Sequence, residues 1–144
     1  MSDMSGDCCA PNKNTMILAC SGASNLGQLS NQAAVELARE GFGKMFCLAG
    51  IGAHLSGFVQ SAKDVPAMVA VDGCSVGCAK KILEHAEVPL RAYLTLSDLG
   101  IEKTMDTNLE RAEVERVKEA VKEACSSQQA DWAEYGCGPE GCRV

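Results

Sequence analysis

Aromatic side chains are scarce in this chain: they make up 4% of 144 residues, with one Trp, two Tyr and three Phe. A core must therefore be assembled from Val, Leu, Ile, Ala and Met, within a hydrophobic content of 47%. A chain of this length suits one domain that folds without disulfide staples. Basic residues are also few, 13 against 19 acidic, for a formal net charge of −6. With no basic stripe to neutralise phosphates, nucleic acid is not an expected partner. No run approaches the ~18 apolar residues of a membrane helix. Met1–Asp7 lacks the basic and apolar regions of a secretory signal. A cytoplasmic protein is expected.

Cysteine, by contrast, is abundant, with nine residues. A reducing compartment does not sustain a disulfide framework, and an odd count does not pair completely. Metal ligation or thiol chemistry is the better default. Three of the cysteines repeat at equal intervals: Cys20, Cys47 and Cys74 are each 27 residues apart and each follows an apolar run. One thiol at the end of each of three successive strand–helix units would produce this pattern.

The chain order supports those units. Residues 1–13 are polar and contain Cys8 and Cys9, reading as a mobile arm ahead of a domain at 14–125. The continuous apolar run Thr15–Ala19 predicts a strand covered on both faces. A helix follows from Leu26 to about Arg39, capped by Ser24 or Asn25 and closed by Gly41 and Gly43. The second strand is expected at Lys44–Leu48, with Gly50-Ile51-Gly52 in the turn beyond it. Leu55, Phe58, Val59 and Ala62 trace the core face of a short helix that Pro66 ends. The third strand is Ala67–Asp72. Its helix is expected to start near Ser75 or Val76 and to end before Pro89, and a fourth strand covers Arg91–Leu96. Thr107 and Glu110 form a capping-box pattern ahead of a helix carried by Leu109, Val114, Val117, Val121 and Ala124 to about Cys125, a core cysteine. Residues 126–144, with Cys137 and Cys142, read as a loose tail.

Alternating strands and helices predict the α/β class: a small three-layer sandwich with a mostly parallel sheet of about four strands. Ligands of such sheets sit outside the carboxyl ends of the strands, often where the strand order reverses. Cys20, Cys47 and Cys74 fall there. Cys74 and Cys78 have the spacing of a zinc-ligand pair, and with Cys20 and Cys47 they supply four thiolates for a tetrahedral shell. Were Ser75 to cap the helix, Cys74 and Cys78 would share one side of its first turn.

The segments Ala19–Asn25, Phe46–Gly50 and Asp72–Lys81, read in that order, resemble the DGC-domain family, named for its Asp-Gly-Cys motif. The resemblance covers roughly residues 15–105. It implies zinc as the cofactor, with Cys20, Cys47, Cys74 and Cys78 as the chelating set, and it brings no assigned reaction. The expected function is zinc binding in a structural or metal-handling role, with the metal ion as partner. Two alternatives stand beside it: a thiol oxidoreductase or thiol-dependent transferase using Cys20, and an iron–sulfur carrier.

Other residues have narrower readings. Cys8, Cys9, Cys137 and Cys142 could make a second metal site if the two tails meet. Ser21–Asn25 could cradle an anion or serve as turn and cap. His54 could be an alternative ligand or a proton carrier, whereas His85 reads as a surface residue complementing a helix dipole. Asp72 could orient its turn or stand behind a metal ligand. Lys80 and Lys81 could offset thiolate charge.

Overall fold

A computed structural model describes residues 15–132. The strands are β1 (Thr15–Ala19), β2 (Lys44–Met45), β3 (Ala67–Asp72) and β4 (Ala92–Thr95), and the helices are α1 (Asn25–Arg39), α2 (Leu48–Gly52), α3 (Ser56–Asp64), α4 (Cys78–His85) and α5 (Arg111–Trp132). A single 3-10 turn, Leu96–Leu99, follows β4. The four strands form one sheet in the order β2-β1-β3-β4, and every pairing is parallel. Ala19 of β1 is level with Val71 of β3, and Asp72 of β3 with Thr95 of β4.

Period-two alternation divides the strands between two cores. Ile17, Ala19, Val69 and Val71 face α1 and α5, joining Leu26, Leu29, Leu37, Val117 and Val121. Met16, Leu18, Met68 and Ala70 face the opposite way, onto Ile51, Ala62, Ala79 and Leu83 of α2, α3 and α4. Helices therefore cover both faces, as the unbroken apolar runs of β1 and β3 require. The three-layer α/β sandwich is the observed fold. Burying each large aliphatic side chain contributes about 1.5–3 kcal/mol before the entropy of ordering it is subtracted.

Several local expectations need correction. The second strand stops at Met45, and Gly50-Ile51-Gly52 is helix α2, not a turn. The Cys47 thiol caps that helix by accepting from Gly50 N at 3.3 Å, and Ile51 anchors it in the core. Leu55 is 50% exposed and caps α3 from outside, so only Phe58, Val59 and Ala62 of its stripe pack inward. Gly41 has the left-handed φ of 82° expected after α1. Gly43 has another reason to lack a side chain: a Cβ there would lie 2.5 Å from Thr15 O.

Helix α4 begins at Cys78, behind a left-handed Gly77 with φ 69°. Neither Ser75 nor Val76 starts it. Thr107 does not cap α5, which opens at Arg111; Asp106 instead folds the preceding loop by accepting from Asn108 N at 2.9 Å. Helix α5 runs past Cys125 to Trp132. Among the described residues, no helix is long and apolar enough to cross a membrane.

Candidate metal and thiol site

The strand order places the reversal point between β1 and β3, since β1 continues to β2 on one side and β3 to β4 on the other. Cysteines mark the carboxyl ends on both sides of that point. Cys20 extends β1 by one residue, its N–H donating to Val71 O at 2.9 Å. Its carbonyl and that of Gly27 share the one proton of the buried Ser30 hydroxyl, which lies 2.7 Å from Gly27 O. Cys47 follows β2, Cys74 follows β3 within a turn, and Cys78 opens α4. Three adjacent strand ends in the order β2-β1-β3 thus carry Cys47, Cys20 and Cys74.

Glycines let the connecting loops approach this closely. A Cβ on Gly27, in the first turn of α1, would lie 2.6 Å from Gly22 N and O, and one on Gly73 would lie 2.8 Å from Gly27 N. The loop after β1, the start of α1 and the turn after β3 therefore stack backbone on backbone. Gln28 fastens the first of them by donating to Gly22 O at 2.9 Å and Ser21 O at 3.2 Å. Ser24 is the cap of α1, accepting from Gly27 N at 3.3 Å. Turn and cap chemistry accounts for Ser21–Asn25.

Asp72 organises the other half. Alternation puts it on the α4 face of β3, where it is 1% exposed. Its Oδ1 accepts from Ala79 N at 2.8 Å and its Oδ2 from Lys80 N at 3.1 Å. Gly77 offers no side chain to cap α4, so the strand end caps the helix instead. Tyr93 donates its hydroxyl to Oδ2 at 2.7 Å, and Lys80 lies over the Tyr93 ring, 5.6 Å from its centroid. Burial, followed by the Asp72 carboxylate, pushes Tyr93 up to about 12, with an opposing hydrogen bond from Thr95.

The thiols are unequally placed. Partial desolvation at the helix start, followed by Cys20, Asp72 and Cys74, pushes Cys78 above the ordinary thiol range, against an opposing Lys81. Cys20 and Cys74 thus lie near enough to Cys78 for their charge to act on it. Cys74 and Cys78 do not share one side of a helical turn, as the spacing suggested. Cys74 leans on the core beside α1 and α5, and Cys78 is exposed at the opening of α4. Cys47 is also exposed, with its sulfur turned toward Gly50 N. Among the described residues, no three His, Cys, Asp or Glu side chains form a ready metal cage. The four thiols are a donor set with the right chemistry for a soft or borderline ion. Cys8, Cys9, Cys137 and Cys142 lie outside the described residues.

Two contributors had no signal in the sequence. Asn25 reaches across the site to the segment before α5: its Oδ1 accepts from Thr104 N at 2.7 Å, and its Nδ2 donates to Glu102 O at 2.8 Å. That segment carries Lys103, whose ammonium lies 3.5 Å from the Cys74 sulfur. Lys103 is therefore the countercharge beside Cys74, and Lys81 is the one that acts on Cys78. Lys80 is turned to Tyr93. Cys125, the expected core cysteine, is 3% exposed, and burial pushes it up to about 11.

The DGC domain matches residues 16–121. A relative named anaerobic and virulence modulator AnvM, from Pseudomonas aeruginosa, is 36% identical over 102 residues, covering 71% of this chain and 78% of its own. No solved structure matches at a significant level. The match extends from β1 into α5 and includes all four strand-end and turn cysteines, so this chain belongs to the DGC domain family.

Proposed function

We propose that the chain binds zinc through Cys20, Cys47, Cys74 and Cys78, in a structural or metal-handling role. The observation that supports this reading is the placement of Cys47, Cys20 and Cys74 on three adjacent strand ends, with Cys78 opening the next helix. Zinc is a borderline ion suited to a tetrahedral shell of thiolates at ~2.3 Å. Asp72 fixes the start of α4 and hence the backbone of Cys78, and Lys103 supplies positive charge against the excess that four thiolates carry. A filled shell leaves no position open for a substrate, which argues against hydrolysis.

The relative's name places it in anaerobic and virulence modulation. For this chain the corresponding proposal is a regulatory zinc–thiolate protein. A hydrogen peroxide molecule that took two electrons from two of these thiolates, and two protons from solvent, would leave a disulfide and two waters and would remove two of the ion's ligands. Such a site would couple metal occupancy to oxidant level.

Metal analysis of protein purified without added metal tests the reading. One zinc per chain is expected, retained when Cys8, Cys9, Cys137 and Cys142 are replaced by Ser and lost on Cys74→Ser or Cys78→Ser. Absence of metal with Cys20, Cys47, Cys74 and Cys78 all freely titratable would overturn it. Selective alkylation of Cys20 near neutral pH in metal-free protein would favour a thiol enzyme instead. Brown, visibly absorbing protein prepared anaerobically would favour an iron–sulfur cluster.

A further inference from the structure

The chain contains two histidines, and the fold sets them against each other. His54 lies between α2 and α3, and His85 is the last residue of α4. His54 Nε2 stands 2.9 Å from His85 Nδ1, and the rings meet edge-on with centroids 4.8 Å apart at 78°. Both residues are exposed. The backbone holds the contact in place: His54 donates its N–H to Ile51 O at 2.9 Å. Helix α2 abuts α4 closely enough that a Cβ on Gly52 would lie 3.4 Å from Ile82. His54 adopts a left-handed φ of 56°, a conformation that costs a non-glycine residue about 1 kcal/mol or more. The residue under strain is the one whose ring meets His85.

We propose that His54 and His85 form a surface site for a divalent transition ion, separate from the cysteines. Imidazole nitrogens suit Zn2+, Ni2+ and Cu2+. Two nitrogens on one tetrahedral ion at ~2.0–2.1 Å stand about 3.3 Å apart, so the rings need to part by roughly half an ångström. In the metal-free pair one facing nitrogen carries a proton and the other accepts it. Ligation needs both lone pairs, so the donor ring moves its proton to its outward nitrogen, His54 Nδ1 or His85 Nε2. No third His, Cys, Asp or Glu joins the pair in a ligand group among the described residues. The remaining positions are open to water or to a donor from another molecule. Such an ion exchanges readily, unlike one enclosed by four thiolates.

The site is not an extension of the cysteine edge. Cys78 and His85 are the first and last of the eight residues of helix α4, so at 1.5 Å per step they stand roughly 10 Å apart along its axis. The proposal is therefore independent of zinc at the cysteines.

The imidazole NMR signals of the untagged full chain arise from this pair alone, which makes the test direct. Ni2+ is titrated into the protein while the two rings are observed. Both rings are expected to broaden together within the first two equivalents. In His54→Asn, which keeps a residue tolerant of left-handed backbone, the His85 ring should need at least tenfold more Ni2+. His85→Gln should have the same effect on His54. Circular dichroism confirms that each variant is folded. Ring signals that stay sharp while Ni2+ binds elsewhere would overturn the proposal, as would a remaining ring that responds at unchanged Ni2+ concentration in both folded variants.

Discussion

The Asp72 carboxylate at the end of β3 accepts the Ala79 N–H at 2.8 Å, so the strand itself caps the helix that Cys78 begins. Asp72 also accepts from Tyr93, a residue of the neighbouring strand. Asp72→Ala should lower stability by about 2–3 kcal/mol, because it leaves buried N–H groups and the Tyr93 hydroxyl without their acceptor. Asp72→Asn should cost less, since one amide oxygen can still serve Ala79. Tyr93→Phe should cost about 1 kcal/mol. Urea unfolding measures all three, and equal losses in Asp72→Ala and Asp72→Asn would show that the capping bonds carry little.

Helix propensity and close packing make opposite predictions for Gly27. In an open helix position Ala is favoured over Gly by up to about 1 kcal/mol. At Gly27 an added Cβ meets the Gly22 backbone at 2.6 Å, whereas at Gly57 in α3 nothing lies within 4 Å. Gly27→Ala should therefore destabilise, and Gly57→Ala should be neutral or stabilising by a few tenths of a kcal/mol. A stabilised Gly27→Ala would refute the stacked-loop account.

Asn25 is the clasp that holds residues 102–104 over the site. Asn25→Ala removes the two side-chain bonds to Glu102 and Thr104, at a cost of about 1–3 kcal/mol, and keeps the backbone bond from Asn25 N to Thr104 O at 3.0 Å. Asn25→Asp keeps the acceptor for Thr104 N and loses the donor to Glu102 O. Hydrogen exchange at Thr104 N should accelerate strongly in the Ala variant and modestly in the Asp variant. Unchanged protection in Asn25→Ala would mean that the loop is held elsewhere.

Acid should loosen the contact between α1 and α5. Glu36 is held down at about 2, first by its hydrogen bond to Arg111 and then by that to Gln32. A carboxylate with a lowered folded pKa adds stability that is present above its ordinary value of 4.5 and is lost as pH falls toward 2. Stability of the native chain should fall across that window, and Glu36→Gln should fall less. Parallel acid profiles for the two proteins would contradict this.

What was legible in the sequence follows physical range. The apolar runs Thr15–Ala19 and Ala67–Asp72 are central strands buried on both faces, and both were read with their observed bounds. The edge strand β2 was overextended, because Phe46 and Cys47 are apolar by composition while Cys47 is in fact capping α2. The strand-end placement of Cys20, Cys47 and Cys74 was visible from their even spacing. Cys74 and Cys78 share one helical turn only where Ser75 caps the helix, and the left-handed corner at Gly77, which takes the cap position instead, separates them. Contacts such as Lys103 to Cys74, Asn25 to Thr104 and His54 to His85 join residues 29, 79 and 31 positions apart. Only the assembled fold sets such distances, so no local pattern announces them.

Alkali should reveal Cys125. Its thiol is 3% exposed in the core between α5 and the sheet, and burial raises it from an ordinary 9.0 to about 11. Between those values the unfolded chain sheds the proton and the folded chain keeps it. The raised folded pKa therefore contributes stability that is fully present below pH 9 and is lost as pH rises toward 11. At 1.36 kcal/mol per unit, the loss approaches about 3 kcal/mol. Cys125→Ala has no thiol to ionise, so its deficit relative to the native chain at pH 7.5 should shrink as pH increases, and it should become the more stable protein near pH 10.5. Urea midpoints of the two proteins at pH 7.5, 9 and 10.5 measure the difference while cancelling the titration of groups they share. A constant difference across that range would show that the Cys125 thiol reaches water before the chain unfolds.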